Sequence, residues 1–319
     1  MDDLLRVFVE RLTAALPVSA KLVETIRSTA WEASARHVTV THEPASAAAR
    51  LRRLVALLGD QGTNLLIVLD ELPTMARALA KSDGAAALDL LRTLRALRHE
   101  QGSIRFVFAG SIGFHHVRHN ESEVAAALND LESIRVGPLS HSYAVHLARC
   151  LLLGIGVETS ADDAVATAIA AATDGVPFYA HKLVGALDQR REARLAIDAP
   201  AVWGVREAAI SQVSGDPWEL GHYESRIDEY YGAEAGLAKA VVDVLARERE
   251  GALDFATVLD RIRLDEELER AMPHVGRHQL ASVVRRLGRD DYVERSSGDT
   301  VSLVSAVLRD GWRAVRFLG

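Results

Sequence analysis

The chain has 319 residues, of which 49% are hydrophobic and only 5% aromatic, and a formal net charge of −7. That length suits about two domains with real cores, and the wealth of Ala and Leu favours helices over an all-β build. The acidity excludes a general attraction to nucleic acid or anionic membrane and leaves only local basic patches for such contacts.

Cys150 is the only cysteine, so no disulfide forms within the chain, which fits a cytoplasmic location. Three leucines follow it, and a buried apolar role is expected. Apolar runs fall short of the ~18 residues of a membrane span. The N-terminus "MDDLLRVFVERL" carries acids where a signal peptide would carry basic residues.

In chain order, Leu4, Val7, Phe8, Leu12 and Leu16 fall at helical spacing, so 3–16 reads as an amphipathic helix. A helix over 20–35, a short strand in "RHVTVTHEP" and a helix over 45–59 follow. "NLLIVLDELP" reads as a buried strand over 64–69 that ends on two adjacent carboxylates, Asp70 and Glu71. "AAALDLLRTLRALRH" predicts a helix over 85–99, and "SIRFVFAGS" a second buried strand that ends at Gly110 and Ser111. "IRVGPLS" suggests a third short strand over 134–140, broken by Gly137 and Pro138. Residues 141–191 are helical with a break at "TDGVPFY", and 204–220 read as a junction. Strands alternating with helices in the first third indicate a parallel α/β sheet.

Ligands of open α/β sheets sit at the carboxyl ends of the strands, where Asp70 and Glu71 lie. A hard cation such as Mg²⁺ takes oxygen ligands and keeps several waters, so one carboxylate suffices for it. The next carboxylate then orients or deprotonates an attacking water. Ser111, off the neighbouring strand, suits a phosphate or that same water. The same residues also read as a capped turn, a solvated acid and a strand-ending turn. His115, His116 and His119 lack a completing ligand and read as surface histidines rather than a zinc site.

The ordered series "LLIVLDELP", "IRFVFAGSIGFHHV", "VGPLSHSYAVHLA", "TDGVPFYAHKLVGAL" and "DPWELGHYESRIDEYYG" resembles the archaeal-ATPase branch of the STAND class of P-loop ATPases, related to AAA+ proteins. The resemblance covers nearly the whole chain. It implies an α/β fold with an incomplete P-loop parallel sheet over 1–138, a helical lid and junction over 139–233 and a winged helix over 234–319. It implies ATP and Mg²⁺ as cofactors and, for a complete protein, ATP hydrolysis. It makes Asp70 the Mg²⁺-holding Walker B aspartate, Glu71 the catalytic base and Ser111 the sensor-1 residue. Gly175 and Pro177 would be the Gly-x-Pro near the nucleotide base; an ordinary helix-breaking turn explains them equally. Arg118 and Arg135 are arginine-finger candidates without a geometric argument. A homo-oligomer is compatible with the resemblance.

One departure is large. The family's Gly-x-x-x-x-Gly-Lys-Ser/Thr loop is not among the 319 residues. The expectation is therefore a fragment of a longer ATPase that does not hydrolyse ATP as given. The alternative is a degenerate, non-catalytic relative acting as a DNA- or protein-binding module.

At the C-terminus, "AEAGLAKAVVDVLARERE" reads as one helix, and "DFATVLDRIRL" as a second capped by Asp254. "GRHQLASVVRRLGRDDYVERSSGDTVSLV" reads as a third helix and a hairpin, the set resembling a winged helix-turn-helix. Leu280, Val283, Val284 and Leu287 would face the core. Arg277, Arg285, Arg286 and Arg289 would be free for duplex DNA, or form a solvated or intramolecular face. "LRDGWRAVRFLG" reads as a closing amphipathic helix in which Trp312 and Phe317 pack.

Overall fold

The computed structural model describes residues 51–52, 55, 64–100, 102–117, 121–158, 163–211, 215–266, 270, 272 and 274–318. The helices expected over 3–16 and 20–35 and the strand after them lie outside the described residues. The chain divides into two compact units, Met1–Ser133 and Ile134–Gly319.

The first unit holds β1 (Leu65–Leu69), α1 (Leu72–Ser82), α2 (Gly84–Glu100), β2 (Ile104–Phe108), a 3-10 turn (Phe114–His116) and α3 (Glu121–Leu128). β1 and β2 pair in parallel, Leu65 opposite Ile104 and Leu69 opposite Phe108. Parallel neighbours need a long crossover, and α1 and α2 supply it. The helix α1 was not anticipated; Pro73 in its first turn is the residue type that position favours.

Successive strand residues face opposite ways. Ile67 and Ile104 pack against Leu72, Leu90, Leu94 and Leu97. Leu66 and Val68 face the other way and are 61% and 58% exposed. The expectation of a fully buried strand therefore holds for one face only. No strand forms over 134–140, where Ile134 and Val136 are exposed. Pro138 has no N–H to give a ladder.

The second unit holds α4 (His141–Gly154), α5 (Ala164–Ala172), α6 (Pro177–Glu192), α7 (Ala199–Ser211), α8 (Gly221–Tyr231) and α9 (Ala235–Ala246). Then come β3 (Ala252–Asp254), α10 (Phe255–Arg263), α11 (Arg277–Arg289), β4 (Val293–Arg295), β5 (Thr300–Leu303) and α12 (Ala306–Arg316). The break between α5 and α6 falls where "TDGVPFY" placed it. α7 occupies part of the expected junction. Asp254 caps α10 as expected, accepting from Thr257 N at 2.9 Å. The last three strands form one antiparallel sheet in the order β3-β5-β4. A three-residue strand such as β3 is too short to show a period in sequence.

Cys150 is exposed, not buried. α4 buries Ala144, Ala148 and Leu152, a four-residue repeat that leaves Cys150 on the outer side. α12 joins two cores. Val307 packs with Leu183, Leu187 and Trp218, while Leu308 and Trp312 pack with Val241, Leu245 and Leu280. Trp312 packs as expected, but Phe317 takes a left-handed φ of 53° past the helix end and is exposed.

Candidate nucleotide site

The ends of β1 and β2 are tied by two backbone bonds, Ala109 N to Leu69 O at 3.0 Å and Leu72 N to Ala109 O at 3.2 Å. Between them the chain turns sharply through Asp70 and Glu71. Glu71 has φ 53° and ψ 25°, left-handed backbone that costs energy for a residue with a Cβ. Asp70 supports the turn by accepting Glu71 N on Oδ1 at 2.9 Å.

This conformation points the Glu71 carboxylate at the end of β2. Its Oε1 accepts Ser111 N at 3.2 Å. Its Oε2 accepts Ser111 Oγ at 3.1 Å and Thr74 Oγ1 at 2.7 Å. Gly110 permits the approach: a Cβ there would lie 2.7 Å from Pro73 Cδ. The structure thus brings Asp70, Glu71 and Ser111 together. Thr74 was missed by sequence reasoning. Its signal was a hydroxyl three residues beyond an acid at a helix start, a capping-box pattern in reverse order.

The donor set is all oxygen, which suits a hard cation and not a soft metal. Asp70 is exposed, and its Oδ2 has no protein partner among the described residues. The residues present therefore fit Mg²⁺, with Asp70 as the group that would hold it.

Gly175 and Pro177 lie in the second unit. Asp174 and Gly175 are both left-handed, with φ 49° and 70°. A Cβ on Gly175 would sit 2.5 Å from Leu139 O, and Gly175 O accepts Leu139 N at 3.0 Å. Pro177 opens α6, where its fixed φ and missing N–H cost nothing. Local geometry alone thus demands the glycine and welcomes the proline.

The arginines of α11 divide. Arg286 pairs with Glu234, donates to Tyr230 O at 3.3 Å and lies 4.5 Å over the Tyr231 ring. Arg277 pairs with Asp299 at 3.3 Å and lies over Phe255. Arg285 and Arg289 are exposed without partners among the described residues, on one helix face with His278 and Ser282. Leu280, Val283, Val284 and Leu287 are buried as expected. Elsewhere, His116 is buried and His115 half-buried, against the surface expectation. Arg135 is engaged with Asp291 at 2.5 Å. Arg118 and His119 lie outside the described residues.

A parallel strand pair thus carries two carboxylates off one strand end, and one of them, Glu71, is held by a serine off the next. Among solved structures the chain is similar to the Walker-type ATPase PABY2304 of Pyrococcus abyssi, with a TM-score of 0.54 and 14% identity over 96% of this chain and 78% of that one. At that identity the likeness is one of fold: mixed α/β, mostly helical, with a small parallel sheet. No family model and no curated protein matches the chain. Among the described residues no helix is long and apolar enough to cross a membrane.

Proposed function

We propose that the chain is the greater part of an ATP-binding, ATP-hydrolysing regulatory ATPase of the STAND type. The observation that carries this is the convergence of Ser111 N and Oγ on the Glu71 carboxylate, beside an outward Asp70. In this reading Asp70 holds Mg²⁺, which when bound neutralises charge on the phosphates. Glu71 orients the attacking water and accepts its proton. Ser111 and Thr74 keep the carboxylate aimed. Gly175 and Pro177 would be the Gly-x-Pro turn of a helical lid. The helix–strand–helix–helix–hairpin order of the C-terminal block supports a winged helix. Its solvent-facing Arg285 and Arg289 are the candidates for duplex DNA, with a protein partner as the competing occupant.

Phosphoryl transfer rests on positioning and charge stabilisation, and the 319 residues contain no Gly-Lys pair to cradle phosphates. Turnover therefore requires a phosphate loop from beyond this sequence, and the 319-residue chain alone should show none. In a protein that carries this chain behind such a loop, Glu71→Gln should keep nucleotide binding and lose hydrolysis. Asp70→Ala should weaken the Mg²⁺-dependent binding itself. Near-wild-type turnover in both variants would sink the assignment. A second reading, a non-catalytic binding module, is favoured by the absent loop. It predicts no such loop in the coding DNA ahead of codon 1.

A further inference from the structure

The turn between α5 and α6 is bonded to a helix far away in sequence. Asp174 Oδ2 accepts the N–H of Val307 at 2.7 Å, across 133 residues. Val307 lies in the first turn of α12, where backbone N–H groups have no partner inside the helix. The next amide, Leu308 N, is taken by Ser305 Oγ at 2.9 Å. α12 is thus capped twice, once by its own chain and once by the turn.

A second link runs beside the first. Arg206 donates from Nε to Ala172 O at 3.0 Å and from Nη2 to Asp310 at 2.6 Å. Further along, α12 is fixed to α9 and α8. Trp312 Nε1 donates to Asp243 at 2.6 Å, and Arg316 reaches Asp243 at 3.1 Å and Glu224 at 2.8 Å. Gly311 lets the helix lie close, since a Cβ there would meet Leu220 Cδ1 at 2.7 Å.

Asp174 presents its carboxylate to α12 from a left-handed φ of 49°, followed by a left-handed Gly175 and the Leu139 clamp. The turn's conformation and the cap on α12 are therefore one structural variable. We propose that Asp174 is a coupling residue: displacing the 173–177 turn releases the first turn of α12 and loosens its hold on the C-terminal block. This rests on the function proposed above in one respect, that the ligand moving the turn is a nucleotide. Energetically it needs only two arrangements, capped and released, between which such a ligand discriminates.

The test is hydrogen exchange at the α12 amides of the 319-residue protein. Asp174→Ala, which removes the acceptor, should speed exchange in the first turn of α12 about fivefold, as for a lost cap. Gly175→Ala, which strains the turn without touching α12, should speed the same amides. The double variant should exchange no faster than Asp174→Ala alone, because both act through one bond. Ser305→Ala removes the other cap, and its effect should multiply with that of Gly175→Ala. Should Gly175→Ala fail to fold, Pro177→Gly loosens the turn from an exposed position and takes its place in the cycle. The proposal falls if Asp174→Ala leaves α12 unchanged, if the turn variants leave it unchanged, or if their effects multiply with that of Asp174→Ala. ATP with Mg²⁺ is then added to protein carrying a phosphate loop. A change at α12 that Asp174→Ala abolishes makes the nucleotide the ligand of the turn. An intact variant cycle with no nucleotide effect refutes that ligand and leaves the coupling standing.

Discussion

Gly110 shows how a residue with no side chain positions a functional one. A Cβ at that position would meet the Pro73 ring at 2.7 and 2.9 Å. Pro73 is buried and its ring cannot swing away, so Gly110→Ala must push the end of β2 off α1. The expected cost is about 1–3 kcal/mol, typical of overpacking, together with separation of Ser111 from Glu71. Gly102→Ala is the control, because a Cβ there meets nothing within 4 Å. Denaturant midpoints for the two variants check this, and equal midpoints would contradict it. At this scale the sequence exposed residue types but not conformations. Two acids after an aliphatic run are visible in "LDELP", as is a glycine-serine pair after "FVFA". The left-handed backbone of Glu71 is not visible, because it depends on the register of β1 against β2. Thr74 becomes informative only once that backbone turns Glu71 toward it.

Between elements, α2 grips α3 through arginines at three-residue spacing. Arg92 pairs with Glu123 and Arg95 reaches Ala126 O. Arg98 donates to Ala127 O at 3.0 Å and to both oxygens of Asp130. Cations there meet the otherwise unpaired carbonyls at the C-terminal end of α3. The Arg98 hydrogen bonds hold the Asp130 carboxyl down at about 2, against an opposing push from burial. A carboxyl depressed on folding adds stability above its unfolded pKa and loses it as pH falls through the folded one. The Asp130 contribution is therefore complete above about pH 4 and fades toward pH 2. Arg98→Met should cost about 1.5–3 kcal/mol near neutrality, the range for hydrogen bonds to a charged group. Asp130→Asn should flatten the stability profile between pH 4 and 2. Stability curves that keep the wild-type slope there would exclude this role. The arginines were readable as the polar side of a helix with Leu88, Leu91, Leu94 and Leu97. Their partners were not, since α3 lies about one helix and one strand downstream. The third strand failed for a related reason: "IRVG" has strand composition, but composition does not say whether a neighbour is there to pair with it.

For the whole molecule, the question is whether a chain of net charge −7 can hold DNA through its C-terminal block. The structure narrows the proposed contact from four arginines to two. Arg286 is committed to Glu234 and Tyr231 and Arg277 to Asp299, while Arg285 and Arg289 face solvent. Each phosphate contact contributes a slope of about −0.9 in log K against log salt. Arg285→Ala with Arg289→Ala should therefore weaken binding across sequences and flatten the slope by up to about 2 units. Arg286→Ala should instead destabilise the second unit by about 2 kcal/mol, through the lost charged hydrogen bonds. Its effect on the salt slope, measured well below the unfolding temperature, should be nil. The acidic remainder repels DNA at long range, so binding must be titrated at several moderate salt concentrations over a range of duplexes. If no duplex binds with salt dependence, or if the double variant binds like wild type, the exposed face of α11 belongs to a protein contact. The partner would then be sought by the acidic surface that two solvent-facing arginines on one helix face require.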